Sequence, residues 1–475
     1  MLLKNLISTE GVLGDINITG ITCDSREVKP GYAFVCINGW TRDGHDYAQM
    51  ALDSGAAVIV VERDLGIENQ LVVDDTHTAY AVMSANWFDN PGKKVKLIGV
   101  TGTNGKTSVT YLIKTALEKC GEKVGLVGTI QNMIGEQKLA SRNTTPDAYE
   151  LNSLLSLMVK AGCTCAVMEA SSHALHQKRI FGMEFEVAVF TNLTQDHLDY
   201  HKTMENYLEA KRCLFKMCKT AVINADDEYA GKIMRDLSCK IVTVSAQNDN
   251  SVYSAKSINY RSDGVDYQLV GYGTINPIKL KTGGKFSVYN SMCAVVTCLE
   301  MGYPVQQVAA AIAQLNGVKG RAEVVPCDKG FTVIIDYAHT PDGLENILNT
   351  FKNCKKNRLI AVFGCGGDRD RDKRPKMGRI AALLADFVVV TSDNPRTENP
   401  SLIIEDILKG MKNISTPYVV VEDRIQAIKY AIANAKDNDI IVLAGKGHET
   451  YQILADKTIH LDEREIVAEA LAELK

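Results

Sequence analysis

The sequence predicts an α/β protein of three domains, and three observations carry this. The chain has 475 residues, and domains run to roughly 150 residues each. Short β-branched runs alternate with helical stretches, the pattern of parallel sheets covered by helices. A turn-forming Asn90-Pro91-Gly92 and a fresh strand run near Val324 divide the chain into residues 1–94, 95–323 and 324–475.

The first domain is small. Residues 32–37 and 57–61 read as strands, with a helical 46–54 between them. The central domain opens with strand 95–100, a glycine-rich loop and helix 107–119, and Gly121 is placed for a left-handed helix end. Residues 147–160 and 203–217 are helical, and 165–169 and 187–191 are strand-like. Residues 251–280 alternate more strongly, which suits antiparallel pairing. Helical stretches 287–301 and 304–315 then lead to Gly317 and Gly320. In the third domain, strands 333–336, 359–363, 387–391 and 440–444 are separated by helices 376–385, 401–412 and 423–435. That is an open, Rossmann-like α/β sheet, whose ligands gather at the carboxyl ends of strands.

Composition narrows the function classes. Hydrophobic residues at 45% and charged residues at 23% exclude disorder and collagen-like repeats. Lys and Arg total 53 against 57 Asp and Glu, so a dedicated nucleic-acid binder is not expected. Apolar runs such as 58–61 are far shorter than the roughly 20 residues a bilayer needs, and the first ten residues lack a secretory pattern. Thirteen scattered cysteines, an odd count, read as free thiols of a reducing compartment. A cytoplasmic monomer without nucleic-acid or membrane partners is the expectation.

The first chemical signal lies between the central domain's first strand and helix, in Gly99-Val-Thr-Gly-Thr-Asn-Gly-Lys-Thr107. Glycines let backbone N–H groups turn toward a polyphosphate, and the helix N-terminus adds partial positive charge. Lys106 is placed for the β/γ-phosphates and the Thr107 hydroxyl for Mg²⁺. Gly102, Thr103, Asn104, Gly105 and Ser108 complete this candidate ATP loop. The strict pattern needs glycine where Val100 stands, so the loop is a variant. A glycine-rich turn with a solvated lysine is the plainer reading; the strand–loop–helix setting favours a nucleotide.

Further segments stand out along the chain. They are Asn143-Thr-Thr-Pro146, Glu169-Ala-Ser-Ser-His173, Thr191-Asn-Leu-Thr-Gln-Asp-His197, Glu209-Ala-Lys211, Asn290, Gly320-Arg321 and Asp336-Tyr-Ala-His339-Thr-Pro341. With them the chain resembles the Mur ligase family of ATP-dependent amide-forming enzymes, in family order across all three domains. The resemblance implies a small N-terminal UDP-binding domain, a central ATPase-like domain of phosphate-loop type and a C-terminal amino-acid-binding domain. It implies ATP and Mg²⁺ as cofactors, with Thr107, Glu169 and His197 as metal ligands. Lys211, ordinarily a solvated helix-face residue, is then N6-carboxylysine, a carbamate that ligates a second Mg²⁺. Arg321 reaches the γ-phosphate and, with Lys106 and Lys211, makes up the catalytic set. Asp336 holds the ribose, and Asn290 lies near the adenine.

The resemblance also implies the substrates. Cys23, Ser25, Trp40, Thr41 and Arg42 match the uridine-diphosphate end, although Asp24-Ser25 could simply make a turn. Asn143, Thr144, Thr145, Ser171, Gln177 and Arg179 match positions that hold the sugar, pyrophosphate and dipeptide. Asp393-Asn394-Pro395-Arg396 is the signature of diaminopimelate addition in this family. Arg396 can bind a carboxylate bidentately while Asp393 faces an ammonium, which is recognition of a zwitterion. Arg369, Gly445 and Glu449 match the other positions around that amino acid. The implied reaction adds meso-diaminopimelate to UDP-N-acetylmuramoyl-L-alanyl-D-glutamate through an acyl phosphate, a step of peptidoglycan precursor synthesis. The alternatives are the same ligation with L-lysine, a folate-tail ligase, and a nucleotide-binding switch without ligase activity.

Overall fold

β-Branched runs such as Val58–Val61 and Ile440–Ala444 pack well on a pleated surface, and here they become strands buried by flanking helices. This computed structural model describes residues 1–475 apart from 10, 40, 41, 262, 263, 316, 353, 354 and 475. In the N-terminal part, β1 (Gly20–Thr22), β2 (Tyr32–Val35), β3 (Val58–Val61) and β4 (Gln70–Val72) pair in parallel in that order. A helix at Thr76–Trp87, capped by the Asp75 carboxylate, packs beneath them.

The middle of the chain forms one sheet of eleven strands among the described residues. In chain order they are β5 (Lys96–Thr101), β6 (Val124–Val127), β7 (Asn132–Ile134), β8 (Gln137–Leu139), β9 (Cys165–Glu169), β10 (Phe185–Phe190) and β11 (Cys218–Asn224). β12 (Lys240–Ser245), β13 (Tyr253–Arg261), β14 (Gly264–Gly271) and β15 (Thr274–Leu280) follow. Their spatial order is β15-β14-β13-β12-β11-β10-β5-β9-β6-β7-β8. The run from β12 to β6 is parallel, while β13–β15 and β6–β8 pair antiparallel at the two edges. The expected parallel sheet is therefore mixed, with the alternating 251–280 region supplying one edge. Ile98, Val109, Ile113 and Val296 pack on one face, and Leu97, Leu155, Phe185 and Phe215 on the other.

The last part holds β16 (Glu323–Val325), β17 (Thr332–Asp336), β18 (Leu359–Phe363), β19 (Phe387–Val390), β20 (Tyr418–Val420) and β21 (Ile440–Ala444). Their order is β16-β17-β21-β18-β19-β20, all parallel except β16. A small hairpin, β22 (Tyr451–Ile453) with β23 (Thr458–His460), stands beside them. Many of the candidate residues sit at or just after the carboxyl ends of β5, β9, β10, β17, β18, β19 and β21, while Lys211 and Asn290 lie on helices and residues 143–145 follow β8. No helix of the described residues is long and apolar enough to cross a membrane. The twelve described cysteines are free thiols.

One buried ion pair holds several of these loops. Arg424, 1% exposed, donates to Glu463 Oε1 at 2.9 Å, to the Ala444 carbonyl at 2.8 Å and to the Ser392 carbonyl at 3.3 Å. It thereby ties the end of β21, the loop after β19 and the last helix. Arg424→Met leaves the Glu463 carboxylate buried without a counter-ion. The expected cost to this domain is about 3–5 kcal/mol, read as a lowered urea midpoint. An unchanged midpoint would show that the pair contributes nothing.

Candidate active site

The glycine-rich loop folds on the strand–loop–helix plan. Gly105, at φ +87°, leads into the helix Lys106–Lys119, and a Cβ there would collide with the Asn290 amide. Lys106 Nζ donates to the Gly102 and Thr103 carbonyls, both at 2.9 Å. Thr107 Oγ1 donates to Glu169 Oε2 at 3.1 Å and accepts from Arg321 Nη2 at 2.9 Å. These residues, with Ser108, Asn290 and Asp336, line a cleft of about 230 Å³. Asp336 Oδ2 accepts from Ala322 N at 2.6 Å and Oδ1 from Ala338 N at 2.8 Å, leaving each oxygen a lone pair.

Glu169 is buried, and among the described residues only neutral groups hydrogen-bond to it. Besides Thr107, it accepts from Thr129 N at 2.9 Å and Thr129 Oγ1 at 3.0 Å. His197 lies in the loop after β10, at φ +55°, with Nε2 3.5 Å from Asp196 Oδ2. Burial lowers its pKa to about 3, against the pull of Asp196, so the imidazole is neutral at neutral pH. His201, one turn later, bonds to Ser172 Oγ at 2.9 Å and stacks on Tyr207. Lys211 is 1% exposed on the helix Met204–Phe215. Its Nζ donates to the Gly102 carbonyl at 2.8 Å and lies 4.5 Å from the Tyr207 ring centroid. Burial, then repulsion from Lys106, pushes its pKa well below that of an ordinary lysine. The solvated reading of Lys211 is thereby corrected.

A second group forms along the rim. Thr145 Oγ1 donates to the Glu169 carbonyl at 2.7 Å and lies 3.1 Å from Ser171 Oγ, and Thr144 Oγ1 meets Thr129 Oγ1 at 3.0 Å. Arg179 grips Gln177 Oε1 through Nε and Nη2, at 3.0 and 2.7 Å, and the Thr145 carbonyl through Nη1 at 2.7 Å. Asn143 is exposed beside them. Of the N-terminal candidates, Ser25 opens a 3-10 turn whose cap is Asp24, so the turn reading holds for that pair. Arg42 is exposed. Cys23 packs on the N-terminal core beside Tyr80, and burial raises its thiol to about 11, so it behaves as a core residue. Trp40 and Thr41 lie outside the described residues.

The third-domain candidates converge. Arg396, at φ +51°, donates through Nη1 to the Gly367 carbonyl at 2.8 Å. Burial, then the neighbouring Arg369 charge, lowers its pKa. Two guanidinium groups therefore share one mouth. Pro395 is buried against Gly367, where a Cβ would strike its carbonyl. Asn394 Nδ2 donates to Glu449 Oε2 at 3.0 Å. Asp393, expected to meet an incoming ammonium, already lies near two cations. Asp393 is 7% exposed and lies 3.8 Å from Lys446 Nζ and 3.9 Å from Arg424 Nη1, cations of its own chain. Its Oδ2 has no hydrogen-bond partner among the described residues and faces Gly445, where a Cβ would crowd it.

Sequence reasoning missed two connecting residues. Tyr337 lines the phosphate cleft, carries Arg321 4.6 Å from its ring centroid, and donates to Glu449 Oε1 at 3.4 Å. Lys446 is fully buried behind Asn394 and Glu449. Tyr337 lies within Asp336-Tyr-Ala-His339, but no local signal marks either residue. The cleft is bridged by Asn104 Nδ2 to Asp342 Oδ2 at 2.7 Å and by Lys376 Nζ to Gln195 Oε1 at 2.6 Å. A larger cavity, about 700 Å³, lies among Leu175, Ile180, Phe181 and Met217 and reaches Tyr200 and His201.

The chain matches known proteins over nearly its whole length. Profiles of the Mur ligase family catalytic domain, the Mur ligase middle domain and the Mur ligase glutamate ligase domain match residues 17–96, 100–298 and 320–447. A UDP-N-acetylmuramoyl-L-alanyl-D-glutamate–2,6-diaminopimelate ligase of Clostridium botulinum is 48% identical over 465 residues, covering 96% of each chain. One of Bacillus licheniformis is 44% identical over 483 residues, covering 100% of this chain and 98% of its own. A solved structure of a ligase of that name superposes with a TM-score of 0.72 at 33% identity, covering 99% of each chain. With three family domains in order and full-length relatives at this identity, the chain belongs to the Mur ligase family.

Proposed function

We infer that this protein joins meso-diaminopimelate to UDP-N-acetylmuramoyl-L-alanyl-D-glutamate, using ATP and releasing ADP and phosphate. The carrying observation is the link between two sites: Tyr337 lines the phosphate cleft and hydrogen-bonds Glu449 in the pocket with two guanidiniums. Full-length relatives bearing that activity in their names support the same reading. The units 1–94, 95–323 and 324–475 would then serve the UDP-sugar, the nucleotide and the amino acid respectively.

Lys106 and Arg321 offer positive charge to the polyphosphate, and the Gly102–Gly105 turn offers backbone N–H groups. A buried carboxylate without an ion-pair partner among the described residues, the Thr107 hydroxyl and a neutral imidazole are donors that suit Mg²⁺. Thr107 and Glu169 would hold one ion, and His197 with carboxylated Lys211 a second; Mg²⁺ would neutralise phosphate oxygens. Thr144, Thr145, Ser171 and Arg179 hold the UDP-dipeptide so that its terminal carboxylate takes the γ-phosphoryl group. The amine of diaminopimelate then attacks the acyl carbon, phosphate leaves and the nitrogen sheds a proton. The bridges across the cleft limit water that would otherwise hydrolyse the acyl phosphate.

Arg369 and Arg396 together favour an amino acid with a carboxylate at its far end, and Glu449 is the acidic partner for its ammonium. Lysine would leave both guanidiniums without an anion. The test is ADP release with each substrate withheld in turn. Release is expected only when both the UDP-dipeptide and diaminopimelate are present; equal release without either favours a switch. Arg396→Ala should raise KM for diaminopimelate by about 100-fold while leaving KM for ATP unchanged. An unaltered preference over lysine in that variant refutes the assignment.

A further inference from the structure

We propose that Lys446 is the positioning residue of the amino-acid pocket: its buried ammonium orients the Asn394 amide and the Glu449 carboxylate, and so sets selectivity for an amino acid with a remote carboxylate. This rests on the diaminopimelate reading above. Lys446 is 0% exposed, and its Nζ donates to Asn394 Oδ1 at 2.5 Å, to the Tyr451 carbonyl at 2.8 Å and to Glu449 Oε2 at 3.1 Å.

The orientation of Asn394 follows from the chemistry of its neighbours. Its Oδ1 meets Lys446 Nζ and, at 2.9 Å, the Ile453 N–H. Both neighbours can only donate, so the amide oxygen must face them and Nδ2 must face Glu449. Glu449 Oε2 is then occupied by two donors, Lys446 and Asn394. Oε1, with one long bond from Tyr337, remains the available acceptor. Without the ammonium the Asn394 oxygen keeps the Ile453 N–H alone, and the amide is held less firmly. Glu449 and Asp393 also lose a cation at 3.1 and 3.8 Å, which leaves surplus negative charge where a carboxylate must enter. Gly445 and Gly447, at φ +118° and +54°, flank Lys446 and give its backbone a path that L side chains rarely adopt.

The experiment is steady-state kinetics of Lys446→Met on the full chain, with each substrate varied separately. KM for diaminopimelate should rise about 30-fold or more, because a buried charged donor is lost. The preference for diaminopimelate over L-lysine should fall by a similar factor. The values of kcat and of KM for ATP and the UDP-dipeptide should stay within about 3-fold. A folded variant with an unchanged diaminopimelate KM overturns the proposal, as do equal losses for all three substrates. Should Lys446→Met fail to melt cooperatively, Lys446→Gln replaces it. That variant keeps a donor for Asn394 without the charge, and the same selectivity ratio decides. Parent protein that makes ADP without needing diaminopimelate would defeat the substrate reading itself. An active, selective parent with an unaffected variant defeats only the role of Lys446.

Discussion

Lys106→Met is expected to cut kcat by about 1000-fold, the scale on which a preorganised cation at a transferring phosphoryl group acts. Lys106 makes no ion pair among the described residues; its ammonium is held by two carbonyls of its own loop at 2.9 Å. Desolvation lowers its pKa, and the Glu169 and Asp196 carboxylates oppose that shift. An ammonium satisfied only by carbonyls exchanges them readily for phosphate oxygens, which carry full charge. Methionine keeps the length of the side chain and removes the charge. Nucleotide affinity and turnover should fall together, while the melting temperature should barely move, since no ion pair is broken. Initial rates, binding of a fluorescent ATP analogue and a thermal melt on one sample separate these effects. A variant within about tenfold of the parent rate would remove Lys106 from the chemistry.

The parts legible from sequence are those whose causes are local. Gly105 needs a left-handed backbone, and the helix after it begins at once, so the loop could be read from its own residues. Strands at Leu359–Phe363 and Ile440–Ala444 match the expected bounds because an apolar β-branched run is its own signal. The helix Thr76–Trp87 has no sequence expectation although Asp75 caps it and its buried Thr76, Ala79, Tyr80 and Met83 recur at helical spacing, because Ala81, Val82 and Ala85 lie off that stripe and blunt the contrast between its faces. The charge state of Asp393 was not legible either. Its cations, Arg424 and Lys446, stand 31 and 53 positions along the chain and meet it only when β19 and β21 come together around β18. Lys446 looked like any lysine between glycines, since its partners Asn394 and Tyr451 arrive from the loop after β19 and from β22.

Lys211→Ala is expected to lower kcat by about 100- to 1000-fold, with partial recovery in formate or acetate. Three features of the unmodified side chain argue for a carbamate. Burial lowers its pKa, so the neutral amine needed to add CO₂ is available. The addition is R–NH₂ + CO₂ → R–NH–COO⁻ + H⁺, and the nitrogen keeps one hydrogen, which can still donate to the Gly102 carbonyl now 2.8 Å away. The charge reverses from that of an ammonium, so repulsion from Lys106 becomes attraction. The sign of the pH effect follows: acid protonates the amine, the carbamate releases CO₂, and the second metal site loses its oxygens, so activity should fall on the acid side. CO₂-free buffer should lower the parent rate and bicarbonate restore it, whereas Lys211→Ala should ignore bicarbonate and respond to small carboxylates. The space left by the alanine is what admits them, so Lys211→Met, which fills it, should not be rescued. Equal rescue of both variants, or of neither, would mean that a carboxylate at this position is not what the reaction needs.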